Sequence, residues 1–217
     1  MVGVLLLVLN GAGPVAVAEA APPPRLLLLG DSLVAGYGLP RPDAFPARLQ
    51  AALKAQGIPV TLIEAGVSGD TTAAGLARLP WVLGATPEQQ PDAVLVELGG
   101  NDVLRGFAPQ TSEANLDRIL TILGERRIPV LLAGMRAPPN LGTDYVNAFD
   151  AIFPRLAEKH EVALYPFFLD GVAGNPALNQ PDGIHPNAAG VAVIVERILP
   201  SVRTLLSRAG AAAARPG

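Results

Sequence analysis

The chain contains no cysteine. That excludes a disulfide framework, a thiolate nucleophile and cysteine-ligated zinc. Histidine is nearly absent too: His160 and His185 are the only two. A multi-histidine metal centre is therefore impossible, and any chemistry that needs imidazole must use one of this pair. Charged residues make up only 16% of the chain, the formal net charge is -3, and no basic run occurs. A nucleic-acid surface needs clustered Lys and Arg, so no nucleic-acid partner is expected. Gly36-Tyr37-Gly38 continues to Arg41 rather than completing G-x-G-x-x-G, and no Walker-type lysine is present. Neither signature of a bound nucleotide is there.

What the chain does have is apolar bulk and turns. Half of its 217 residues are hydrophobic, with 23 Gly and 22 Pro. That composition is globular rather than disordered. The length fits one domain whose core needs neither disulfide nor structural metal, and a monomer is favoured. Met1 to about Ala20 is apolar and lacks Lys and Arg. Val4–Leu9 is a hydrophobic run, and Ala16-Val17-Ala18-Glu19-Ala20 offers small residues at A-x-A spacing. Residues 1–20 read as a signal peptide without the usual positive n-region, cleaved near Ala20 or Ala21. A periplasmic or secreted location follows. Asn10, Gly11, Gly13 and Pro14 interrupt the stretch, so no stable membrane span is expected in the mature form. Pro22-Pro23-Pro24 is a stiff spacer. The domain is expected over residues 25–208, with a small-residue, flexible tail over 209–217.

Short apolar runs alternate with longer helical patterns. Leu26–Leu29, Val60–Ile63, Ala93–Leu98, Val130–Ala133 and Val162–Tyr165 read as strands, the first four buried on both faces. Helices are expected near Ala44–Gln56, Thr72–Leu83, Glu113–Arg126, Tyr145–Lys159 and from Asn187 to about Ser207. Pro186 is expected in the first turn of the last helix, and Pro200 should kink or briefly break it. Strands alternating with helices imply parallel βαβ units in an α/β, three-layer α/β/α sandwich. Ligands of such sheets bind beyond the carboxyl ends of the strands. Gly30-Asp31-Ser32, Ser68-Gly69-Asp70-Thr71 and Gly99-Gly100-Asn101-Asp102 all follow predicted strands.

Ser32 in Gly30-Asp31-Ser32-Leu33 is a weak nucleophile unless a base takes its proton. Taken alone, a helix N-cap explains a serine there better. Pro181-Asp182-Gly183-Ile184-His185-Pro186 supplies a base. Asp182, three residues before His185, can hold the imidazole through Nδ1 and leave Nε2 to accept the serine proton. Acyl transfer also needs donors aimed at the developing oxyanion. The Ser32 and Gly69 backbone N–H groups and the Asn101 side-chain amide are candidates, though a plain turn role accounts for each glycine or asparagine separately. Asp70 and Asp102 read as loop braces. His160 reads as a solvated residue or a helix-end cation. Val103, Leu104 and Phe107 are candidates for covering an acyl chain.

Several blocks together resemble the GDSL, or SGNH, hydrolase family, and within it the bacterial thioesterase I, lysophospholipase L1 and arylesterase group. They are Leu29-Gly30-Asp31-Ser32-Leu33, Ser68-Gly69-Asp70-Thr71, Gly75-Leu76-Ala77-Arg78-Leu79-Pro80, Val96-Glu97-Leu98-Gly99-Gly100-Asn101-Asp102, Leu104-Arg105-Gly106-Phe107, Pro166-Phe167-Phe168 and Asp182-Gly183-Ile184-His185-Pro186-Asn187. The resemblance implies a flavodoxin-like sheet of about five parallel strands and no cofactor or metal. It also implies a Ser32–His185–Asp182 triad and an oxyanion hole of Ser32, Gly69 and Asn101. Glu64 and Gly66 depart from the Asn and Ser that close relatives often carry.

The implied activity is hydrolysis of small-molecule or lipid acyl esters, including aryl esters, lysophospholipids and acyl thioesters. A carbohydrate O-acetyl esterase of the same family is the nearest alternative, and a non-catalytic binding protein a remote one. An α/β-hydrolase elbow is not matched, because Gly66-Val67-Ser68-Gly69-Asp70 has its second glycine one residue early.

Overall fold

The computed structural model describes residues 22–86 and 89–213. The expected signal peptide lies outside them. Five strands form one parallel sheet: β1 (Arg25–Gly30), β2 (Thr61–Gly66), β3 (Ala93–Glu97), β4 (Val130–Ala133) and β5 (Ala163–Tyr165). Their order is β2-β1-β3-β4-β5. The direction of winding reverses between β1 and β3, and the crevice of a doubly wound sheet opens at such a point. Right-handed crossovers then send helices to both faces. On one face α2 (Phe45–Ala55) packs against α8 (Ala188–Ala213). On the other α3 (Thr72–Val82), α5 (Pro109–Glu125) and α7 (Ile152–Lys159) pack in a row. This is the expected three-layer sandwich.

The central strands are legible because burial on both faces demands unbroken apolar runs. Leu26–Leu29 of β1 and all of β3 and β4 are buried. β2 differs from expectation. It is an edge strand with Thr61 and Glu64 exposed. Gly66 at its end is dictated by packing: a Cβ there would collide with the Ala35 amide of α1 (Ser32–Ala35). Glycine at this position lets the first βα turn lie directly on β2.

Helix ends moved where proline and caps decide them. α5 starts at Pro109, four residues before the expected Glu113, because proline suits the first helical position. The expected single helix over 145–159 is two: α6 (Thr143–Asp150) and α7, broken at Ala151. Pro154 has no N–H to give the Asp150 carbonyl, so the hydrogen-bond ladder lapses there. α8 begins at Ala188 rather than at Pro186. Pro186 is held in a bridge to Asn179, and the Asn187 side chain caps the helix by accepting from Ala189 and Gly190 N–H, both 3.0 Å. Pro200 does not break α8, which runs on to Ala213. The first part of the expected flexible tail is therefore helical, as its alanines favour, and Ala209 is buried.

Candidate active site

The turn after β1 presents the serine. Asp31 takes the N-cap of α1, its Oδ1 accepting the Leu33 N–H at 2.9 Å. The cap expected of Ser32 therefore falls to its neighbour. Ser32 becomes the first helical residue, its hydroxyl is left for other work, and its N–H has no partner within the helix. The loop before α8 brings the base. Ser32 Oγ lies 2.9 Å from His185 Nε2, and His185 Nδ1 lies 2.7 Å from Asp182 Oδ2. Asp182 Oδ1 accepts the Ile184 and His185 N–H groups at 2.9 and 3.0 Å, closing an Asx turn that fixes its distance from the ring. The His185 N–H bond, the imidazole and the Ile184 N–H together lower the Asp182 carboxyl to about 2. Asp182 is therefore an anion throughout the neutral range.

Two residues outside the expected set hold this loop. Gln180 donates from Nε2 to Tyr37 O at 2.7 Å and to Pro186 O at 3.0 Å, while its N–H donates to His185 O at 2.7 Å. Tyr37 lays its ring against the His185 imidazole, centroids 4.5 Å apart. Neither has a signature of its own in sequence, since a glutamine before Pro-Asp-Gly looks like any loop residue.

The second and third blocks meet the first. Gly69 has φ +87°, a conformation that favours glycine, and its carbonyl accepts from Arg105 Nη2 at 2.8 Å. Asn101 starts α4 (Gly100–Leu104) from its second position. Its Nδ2 donates to Asp31 Oδ2 at 3.0 Å and to Asp70 O at 2.9 Å. Asp70 and Asp102 brace the loops as expected. Asp70 pairs with Arg78 Nε at 2.6 Å, and the same guanidinium reaches Gly30 O and Ala65 O, tying the ends of β1 and β2 together. Asp102 is buried and accepts from Thr72 N–H, Thr72 Oγ1 and Ser112 Oγ. His160 stands at the C-terminal end of α7, partly exposed, and is not free: its Nε2 lies 2.6 Å from Asp117 Oδ1 of α5. That bond and, more strongly, Lys159 hold the Asp117 carboxyl below the usual range.

Part of this set lines one open, largely apolar cleft of about 670 Å³. Ser32, Gly69, Asn101 and His185 all face it. Of the candidates for covering an acyl chain, Val103 and Leu104 line it, whereas Phe107 lies outside its lining, where its carbonyl accepts from Tyr145 Oη. Further lining comes from Met135, Pro138 and Pro139, not singled out in sequence, and from Phe167 of the Pro166-Phe167-Phe168 block, with Arg136 5.1 Å over the Phe167 ring. Among the described residues no cluster of metal-ligating side chains occurs, and no helix is long and apolar enough to cross a membrane.

Residues 28–193 match the model of the GDSL-like lipase/acylhydrolase family. The chain is 40% identical over 192 residues to esterase TesA of Pseudomonas aeruginosa, covering 88% of this chain and 94% of that one. It is 46% identical over 169 residues to thioesterase 1/protease 1/lysophospholipase L1 of Escherichia coli, covering 78% of each. Among solved structures it resembles AlinE4, an SGNH-hydrolase family esterase, with 49% identity, a TM-score of 0.72, and coverage of 86% of this chain and 98% of that one. The sheet and its crevice are those of an SGNH hydrolase. The chain belongs to the GDSL-like lipase/acylhydrolase family and is a carboxylic-ester hydrolase.

Proposed function

We propose that the protein hydrolyses acyl esters and thioesters of apolar acyl chains by a two-step transfer through Ser32. Ser32 Oγ attacks the acyl carbonyl carbon while His185 Nε2 takes its proton. Asp182 holds the imidazole in the required tautomer and stabilises the imidazolium. The carbonyl oxygen becomes an oxyanion beside the Ser32 and Gly69 N–H groups and Asn101 Nδ2. One Asn101 N–H keeps its bond to Asp31; the other exchanges Asp70 O for the oxyanion. His185 then gives its proton to the leaving alcohol or thiol, and the acyl group stays on Ser32. Water then attacks the acyl carbon with His185 again as base, the bond to Ser32 Oγ breaks as His185 returns the proton to Oγ, and the carboxylic acid leaves.

The observation that carries this reading is the continuous Asp182–His185–Ser32 chain, 2.7 and 2.9 Å, facing a large apolar cleft. The apolar walls favour lipid acyl and aryl esters over acetylated sugars, whose polar rings would find few partners there. The Met1–Ala20 pattern adds export to the periplasm or beyond. Ser32→Ala should lower kcat on p-nitrophenyl esters by at least ~10³-fold with the fold intact. Turnover close to that of the parent enzyme would remove Ser32 from the nucleophile's role.

A further inference from the structure

Beneath the serine turn lies a carboxyl group that the reaction does not use. Glu97 ends β3 and is completely buried. Its Oε2 accepts the Asp31 N–H at 3.3 Å. Its Oε1 has no partner, alone among the buried side-chain polar atoms of the described residues. A buried, half-satisfied acid costs stability, whereas an apolar residue of similar size would not. A Cβ on Gly30 would collide with Val34 Cγ2 and lie 2.9 Å from Glu97 Oε2, so the glycine leaves room for both side chains.

Asp31 is the link from Glu97 to the chemistry. Its two oxygens face two different donors: Oδ1 takes the Leu33 N–H and Oδ2 takes Asn101 Nδ2. The first bond sets the start of the helix that carries Ser32, and the second aims the Asn101 amide.

We propose that Glu97 and Asp31 form a buried positioning pair for ester hydrolysis, with Glu97 fixing Asp31 and Asp31 holding the Ser32 turn and the Asn101 amide in register. The pair touches no substrate, and its role rests on the reading of Ser32 and Asn101 given above. For Asp31 to serve both donors it must present two acceptor oxygens, hence an anion. Glu97 favours this by keeping the proton that the two would otherwise contest. Burial, and then the Asp31 charge, push the Glu97 carboxyl well above its ordinary range. Burial raises Asp31 only to about 6, because the Leu33 and Asn101 donors and the His185 charge oppose it.

The test is a mutant cycle read by steady-state kinetics on p-nitrophenyl butyrate. Glu97→Leu should lower kcat by ~10–100-fold and leave KM within about twofold, since binding is untouched and only transition-state donors are misaimed. Glu97→Gln retains the shape and a neutral hydrogen-bonding group, so it should recover kcat to within about fivefold of the parent. Asn101→Ala alone should cost about 10²–10³-fold, and Glu97→Leu should cost clearly less in that background than in the parent, because the part of its effect that runs through the Asn101 amide is already lost. Asp31→Asn replaces one acceptor by a donor facing a donor, and should show the same fall in kcat at near-constant KM. It decides the matter if Glu97→Leu fails to fold. The proposal is overturned if Glu97→Leu or Asp31→Asn keeps kcat within about threefold of the parent. It is equally overturned if Gln loses as much as Leu, or if the Leu penalty persists in full beside Asn101→Ala. A fully active Ser32→Ala would bring down the reading of the site itself; an inactive Ser32→Ala with an active Asp31→Asn would bring down the positioning pair alone.

Discussion

Asp31 and Ser32 divide two tasks that one residue is often asked to do. A residue that caps a helix commits its side-chain oxygen to a backbone N–H. Asp31 makes that commitment, and Ser32 Oγ is left to His185. Glu97 behind Asp31 has a measurable consequence for stability. Its carboxyl titrates above the ordinary range in the fold but within it in the unfolded chain. Above the ordinary value the unfolded state therefore binds fewer protons than the folded one, and stability falls as pH rises. Asp31 contributes in the same direction between its ordinary value of 3.8 and about 6. Glu97→Gln removes the first contribution, because an amide does not titrate. Urea unfolding should thus show the variant gaining on the parent as pH rises from about 4 to about 8. An unchanged difference across that range would mean that Glu97 ionises in the fold as it does outside it.

At the scale of elements, Ser32, Gly69 and Asn101 sit on turns after strands, and the base sits on the loop that the cap residue of α8 pins. Asn187 Oδ1 accepts from Ala189 and Gly190, while its Nδ2 donates to Ala177 O at 2.9 Å and Asn179 O at 3.3 Å. Asn187→Ala should lose about 1–2 kcal/mol of stability from the cap. It should also lower kcat, because His185 is two residues away and its loop is pinned by the same side chain. Asn187→Asp keeps the capping oxygen but not the donor, so it should recover most of the stability and only part of kcat. Equal recovery of both would show that the cap alone matters.

The same elements explain what could be read from sequence. Buried parallel strands leave an apolar run, so Leu26–Leu29 and Val130–Ala133 were legible almost to the residue. The edge position of β2 was not, because Leu62-Ile63 looks the same whether one face or two is covered. The break at Ala151 was legible in principle from Pro154, but the amphipathic pattern continues through it. Ser32, Gly69 and Asn101 announced themselves through small, polar motifs after strands, and His185 through the Pro- and Gly-flanked Asp182–His185 loop before the last helix. Glu97 and Arg78 stand inside the resembling blocks, but their roles, like that of Gln180, were not legible, because they are hydrogen bonds to residues as many as 143 positions away.

For the whole molecule, the order β2-β1-β3-β4-β5 puts the crevice between β1 and β3, where the Ser32 and Asn101 turns emerge side by side. The cleft above them, about 670 Å³, is far larger than an acetyl group requires. It falls within the range that encloses drug-sized ligands. Leu104, Met135, Pro138 and Phe167 offer it apolar wall, and the cleft is open rather than closed around a short group. Each methylene moved from water onto such a wall is worth at most about 0.8 kcal/mol, a factor of about four in kcat/KM. Across p-nitrophenyl esters from acetyl upward, kcat/KM should therefore climb by up to about fourfold per methylene and level off once added carbons reach solvent. Leu104→Asp should flatten that climb while leaving the acetyl ester nearly unaffected, since a short acyl group never reaches the wall. A maximum at acetyl with a decline at every longer chain would show that the wall serves something other than an acyl group. Acetylated sugars would then become the substrates to test.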